Sequence, residues 1–107
     1  MYSMGYNGRM EYQIKRTARY AAWFDKLKDR GARARIAMRV DRLAHGNPGQ
    51  HRVLTGGVVE LKIDVGPGYR VYYTHVGKVV VLLLLGGDKS TQTDDIKAAL
   101  EMAQQLE

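Results

Sequence analysis

The residues best equipped for chemistry fall between positions 59 and 92: Glu60, Lys62, Arg70, Tyr72, Lys89 and Gln92. A carboxylate can take up a proton, and a planar guanidinium can hold two phosphate oxygens at once. Their spacing says how they are presented. Residues 59–65 alternate, with Val59, Leu61, Ile63 and Val65 on one side and Glu60, Lys62 and Asp64 on the other. That period of two predicts a half-buried strand. Gly66-Pro67-Gly68 predicts a tight turn, after which residues 69–75 alternate again. With Gly66–Gly68 as a three-residue loop, Asp64 is expected opposite Arg70, Lys62 opposite Tyr72 and Glu60 opposite Thr74. A second turn, Val76-Gly77-Lys78, leads into 79–85 (VVVLLLL), apolar on both faces as in a covered strand and ending at Gly86-Gly87. Three consecutive antiparallel strands would present Glu60, Lys62, Arg70, Tyr72 and Lys89 toward one surface, with an apolar reverse.

That reverse needs a cover, and the first half of the chain supplies it. Residues 1–9 carry no pattern and are expected to be a flexible tail, so the domain is expected to occupy 10–107. Residues 10–16 alternate weakly and predict an edge strand, with Thr17 as the N-cap of a helix. From Ala18 the period changes: Tyr20, Trp23, Phe24 and Leu27 form the buried stripe of an amphipathic helix. A second helix is expected over 32–45, with Ile36, Val40 and Leu43 inward and Arg35, Arg39 and Arg42 together on a flank. Gly46 suits the position after its end, and Asn47-Pro48 stops it. Residues 47–58 are expected to be a loop rich in glycine that edges the polar face. After the sheet, Thr91 or Thr93 can cap a last helix whose apolar side is Ile96, Leu100, Ala103 and Leu106.

Composition bounds the function. The chain has 107 residues, 45% hydrophobic and 26% charged, as expected of one globular domain. With no cysteine, disulfides and thiolate metal sites are excluded, and the three histidines have no regular spacing that would suggest a metal. The apolar run at 79–85 is too short to span a bilayer, the first residues lack the apolar core of a signal peptide, and cytoplasm is the expected compartment. Residues 1–46 hold eleven Lys and Arg against four acids, whereas 47–107 hold six against seven. Such a basic half points to an anionic partner, most often nucleic acid, with plain solubility as the duller explanation.

The order of strand, helical hairpin, three antiparallel strands and C-terminal helix resembles the RelE/HigB-type toxins of bacterial toxin–antitoxin modules. It is most similar to the phage-derived Gp49-like, or addiction-module killer, subfamily. The residues that carry this are Gly57–Ile63, Gly66-Pro67-Gly68-Tyr69-Arg70-Val71-Tyr72-Tyr73, Leu82–Leu85 and Gly86-Gly87-Asp88-Lys89-Ser90-Thr91-Gln92. Asn47-Pro48-Gly49 and Asp95-Ile96 also fit, so that the likeness covers roughly residues 10–105. The resemblance implies an α+β, RelE-like fold: an antiparallel sheet packed against an N-terminal helical hairpin, with a C-terminal helix.

It also implies an endoribonuclease that cuts mRNA on the ribosome without metal or cofactor. Its implied partners are the ribosome, mRNA and a cognate antitoxin, expected to be of helix-turn-helix type and encoded beside it. The chemistry needs a base for a ribose 2′-hydroxyl, cations for the phosphorane and an acid for the departing 5′-oxygen. Arg70 matches the family's strand arginine, Lys62 a position that is basic in RelE, and Lys89 another cation; Gln92 and Tyr72 are candidates for contact with RNA. Glu60 stands where RelE has a second lysine and is a candidate base, while Ser90-Thr91-Gln92-Thr93 replaces the C-terminal tyrosine or histidine of several relatives. Arg35, Arg39 and Arg42 are either a solvated face or a footing on ribosomal RNA, and His51 is either a proton donor or a surface histidine. The competing expectation is a protein that binds ribosomes or RNA without catalysis, or an inactive homologue serving only as the antitoxin's structural partner.

Overall fold

The computed structural model describes residues 11–106; the tail expected at 1–9 lies outside the described residues, as do Met10 and Glu107. Strand β1 (Gln13–Arg16) leads into helices α1 (Ala18–Lys26) and α2 (Arg30–Ala44). Then come β2 (His51–Val53), β3 (Val58–Ile63), β4 (Tyr69–Val76), β5 (Val80–Asp88) and helix α3 (Gln92–Gln104). The fold is α+β, as the resemblance implies.

Local chemistry sets the helix ends. The Thr17 hydroxyl oxygen accepts from Tyr20 N at 3.0 Å and donates to Leu84 O at 2.6 Å, so one side chain both starts α1 and ties it to β5. Asp29 caps α2 by accepting from Ala32 N at 3.1 Å. At the other end, Gly46 takes φ 89°, Gly46 N donates to Leu43 O and Asn47 N to Arg42 O. This is a Schellman closure, which favours glycine because a Cβ opposes that backbone conformation.

The sheet has five strands in the order β1-β5-β4-β3-β2. Besides β5 running on to Asp88 through Gly86-Gly87, where the strand is expected to end, three features differ from expectation. First, β1 runs parallel to β5, so the sheet is mixed; the period of a strand carries no information about its direction. Second, His51–Val53, read as loop, forms an edge strand antiparallel to β3. Third, the connection between β3 and β4 is five residues, 64–68, rather than three. The register is therefore displaced by two: Lys62 pairs with Arg70 and Glu60 with Tyr72, so the expected Asp64–Arg70 pairing is not made. An even displacement leaves every side chain on its expected face.

Each face carries its own core. Tyr20, Ala32, Ile36 and Leu43 of the helix pair meet Val59, Leu61, Ile63, Val71, Tyr73, Val81 and Leu83 on one side. On the other, Ala99 and Ala103 of α3 cover Val58, Tyr72, Leu84 and Leu85. Leu84 and Leu85 share that face because the β4–β5 register slips between Tyr72 and Tyr73, a bulge that opposes two residues of β5 to one of β4. The slip sends Gly86 toward Trp23 and Gly87 toward Asp95. None of the described helices is long and apolar enough to cross a membrane.

A Cβ on Gly86 would overlap the nearest carbons of the Trp23 ring. Gly86→Ala should therefore cost about 1–3 kcal/mol through displacement of the indole. A thermal melt with the wild-type midpoint would show that the ring is not seated as described.

Candidate active site

Two rows of cross-strand neighbours build the site on the face that α3 half covers. The first is Arg52, Glu60, Tyr72 and Leu85, on β2, β3, β4 and β5. The second, one step along, is Lys62, Arg70 and Gly87. Strand-borne groups of this kind are held more precisely than groups on loops.

Glu60 is fully buried. Its Oε1 accepts from Arg52 Nε at 3.2 Å and its Oε2 from Gln92 Nε2 at 2.8 Å. Both oxygens are engaged, one by the adjacent edge strand and one by the first residue of α3. Tyr72 opposite is equally buried, yet its hydroxyl has no hydrogen-bond partner among the described residues. Burial, and then the Glu60 carboxylate, push its pKa above the ordinary tyrosine range, so the phenol remains protonated.

Arg70 is only 5% exposed. Its Nη1 donates to Tyr69 O at 3.1 Å, its Nε has no partner, and among the described residues no carboxylate forms an ion pair with it. Lys62 lies directly opposite and adds a second positive charge where like charges repel. Lys89 approaches from the far side. The turn that carries it, Lys89–Thr91, is capped by Asp88, which accepts from Ser90 N at 2.8 Å and from Ser90 Oγ at 2.5 Å. Those hydrogen bonds, the hydroxyl's first, hold the Asp88 carboxyl below its ordinary value. The Lys89 stem packs near Gly68, beside Arg70 Nη1.

Thus Glu60, Lys62, Arg70, Tyr72, Lys89 and Gln92 come together, and Gln92 meets Glu60 within the protein. The other candidates lie elsewhere. His51 pairs with Leu61 and so projects from the opposite face, where its Nδ1 donates to Gly49 O at 2.7 Å. Arg39 donates to Lys62 O at 2.6 Å, Pro48 O at 2.9 Å and Gln50 O at 2.8 Å, clamping the 48–50 segment and β3 to α2. Burial, then the neighbouring Arg42, lower its pKa. Its guanidinium therefore works for the fold, whereas Arg35 and Arg42 are exposed. All three border a cavity of about 370 Å³ with Gln50 and Asp64. Sequence reasoning missed Arg52. The signal was an opposite charge at hairpin distance from Glu60 across Leu54-Thr55-Gly56-Gly57, within a segment read as loop.

The chain belongs to the family described as Phage derived protein Gp49-like, whose model matches residues 22–106 and so spans both rows of the site. That family is associated with toxin–antitoxin modules. An uncharacterized protein of Haemophilus influenzae is 48% identical over 97 residues, covering 91% of this chain and 98% of the relative.

The two hydrogen-bonding states of this face predict opposite outcomes. Arg52→Ala leaves a buried carboxylate with one partner and should cost about 1–2 kcal/mol, less than a fully buried pair because the Arg52 side chain is 48% exposed. Tyr72→Phe removes a hydroxyl that lies near the Glu60 carboxylate but makes no hydrogen bond of good geometry among the described residues, and should leave stability unchanged or raise it by about 1 kcal/mol. Urea titrations of both variants check the contrast.

Proposed function

We propose that this protein is the toxin of a type II toxin–antitoxin module and cuts mRNA on the ribosome. The observation that carries the reading is Arg70. Burying a guanidinium that forms no ion pair among the described residues is costly, so a fold that maintains one is suited to receive an anion. A phosphodiester brings that anion, and Lys62 and Lys89 stand ready to share its charge.

In this proposal the 2′-hydroxyl loses its proton, O2′ bonds to the adjacent phosphorus and the bond from phosphorus to O5′ breaks. The products are a 2′,3′-cyclic phosphate and a 5′-hydroxyl. Arg70 holds two phosphoryl oxygens and meets the charge that grows on them. Lys62, beside it and once it has lost its own proton, is the candidate for taking the 2′-proton, and the departing O5′ takes a proton from solvent. Glu60 is enclosed and doubly hydrogen-bonded, so in this conformation it does not reach a ribose. It serves instead by fixing Arg52 and the start of α3. Arg35 and Arg42, on the opposite layer, offer phosphate contacts to ribosomal RNA. The antitoxin, expected to come from an adjacent gene, would neutralise the same cations with acidic residues.

The burial of Glu60 beneath α3 favours one competing reading, a ribosome-binding homologue without catalysis that serves as the antitoxin's partner. Purified protein that sediments with ribosomes but leaves mRNA intact would establish that reading.

Cleavage by Arg70→Ala at matched ribosome occupancy should fall by about a hundredfold or more, the scale for removing one group aimed at a transition state. Because Arg70 is buried, Arg70→Lys serves as the better-folded test; a single ammonium should recover little of the activity. Wild-type rates from both folded variants would move the chemistry elsewhere.

Ribosome association should weaken steeply as salt rises, and Arg35→Ala and Arg42→Ala should each lower the slope by about one counterion. Sedimentation across a salt series measures this, and a flat dependence would rule out a phosphate-led contact.

A further inference from the structure

A second cavity, of about 280 Å³, opens at the end of the Arg70 row, lined by Asp64, Val65, Gly66, Pro67, Gly68 and Lys89. A Cβ added to Gly68 would come within 3.5 Å of Arg70 Nη1 and 3.6 Å of the Lys89 stem. Gly68 thus lies next to both this cavity, which it lines, and Arg70, a residue only 5% exposed whose Nε has no partner among the described residues. Gly66 and Gly68 hold φ at 55° and 82°, conformations that favour glycine and leave the floor free of side chains.

The lining discriminates between ligands. A site for phosphate alone presents donors only. This one is lined by an acidic and a basic residue, Asp64 and Lys89, together with the apolar Val65 and Pro67. A flat heterocycle with donors and acceptors on one edge suits such walls better than an anion does. We infer that the 64–68 turn and Lys89 form a pocket for the nucleobase next to the phosphate held by Arg70, and that guanine is the base it takes. This rests on the reading of the protein as a nuclease acting on mRNA.

Guanine offers N1–H and N2–H groups to a carboxylate and its O6 to an ammonium. Adenine turns a donor toward the lysine instead, and the pyrimidines fill less of the space. Asp64 also borders the arginine-lined cavity, where its charge offsets part of the lowering of the Arg39 pKa. The carboxylate thus stands in the wall between the two cavities.

The test titrates the isotope-labelled protein with the four 5′-ribonucleoside monophosphates and with inorganic phosphate, following backbone amide resonances. GMP should shift Gly66, Gly68 and Lys89 saturably and bind roughly tenfold more tightly than the other nucleotides. Asp64→Asn, at an exposed position, should erase that preference, and Lys78→Gln at the opposite end of the sheet should not. Inorganic phosphate reproducing the same shifts would make this an anion site and overturn the proposal. So would saturation only near Arg35 and Arg42, or no saturable shift from millimolar GMP. Mapping cuts on a randomised mRNA separates the two claims. GMP bound at the turn by a protein that cuts nothing removes the nuclease reading and keeps the pocket. Cutting with no guanine preference and no GMP binding does the reverse.

Discussion

Two adjacent residues without side chains, Gly86 and Gly87, set how closely the layers of this protein approach one another. Adjacent strand residues face opposite sides, and the bulge at Leu84 sets which glycine meets which layer. The Trp23 ring lies on the first and the Asp95 carboxylate on the second, each in space a Cβ would fill. Because Asp95 descends so far, the first turn of α3 reaches the sheet, and Gln92 can bond to a carboxylate on β3, two strands away from β5. The arrangement of Glu60, Tyr72 and Arg70 follows from that approach. A larger residue at 87 would lift the helix and open the polar rows to water.

The faces of the sheet were legible in the sequence, and the partners across it were not. Alternation over 59–65 and 69–75 placed Glu60, Lys62, Arg70 and Tyr72 together, and that survives any even error in register. What a two-residue displacement changes is whom each residue meets, and it exchanges an attractive Asp64–Arg70 pair for a repulsive Lys62–Arg70 pair. The loop length that decides between them depends on where glycines bend, which Gly66-Pro67-Gly68 leaves open. Strand β2 was invisible for a different reason. Its three residues are all exposed and have no apolar rhythm. It exists because Lys62 N donates to Gln50 O, Leu54 N to Val58 O, and Arg39 pins the approach from another layer. Such contacts are tertiary, and local pattern does not report them. With β2 unread, Arg52 and the enclosure of Glu60 could not be read either.

The site contains one satisfied group and several unsatisfied ones, and their separation is informative. Glu60 has both oxygens engaged, whereas one row away Lys62 and Arg70 oppose each other and a guanidinium nitrogen goes without a partner. The apolar layers on either side offset the cost of that conflict. A sequence selected for stability alone would be expected to relieve it, since local disagreement with the global fold lowers the gap to competing states. Departures of this kind concentrate where a ligand is to complete the structure.

The pairing of β1 with β5 has a consequence for how the molecule comes into being. Thr17 bonds to Leu84 across 67 residues of chain, and the strand that β1 joins is the last of the five in the sequence. Closing contacts that distant is entropically slow, and the intervening hairpins can form before it. During synthesis, β1 and α1 leave the ribosome with their apolar faces uncovered and wait for residues 80–88 to follow. Lys89 and Gln92 arrive later still. A nascent chain therefore carries a basic, incompletely folded helical hairpin for most of its synthesis, and the assembled charge rows appear only near its close.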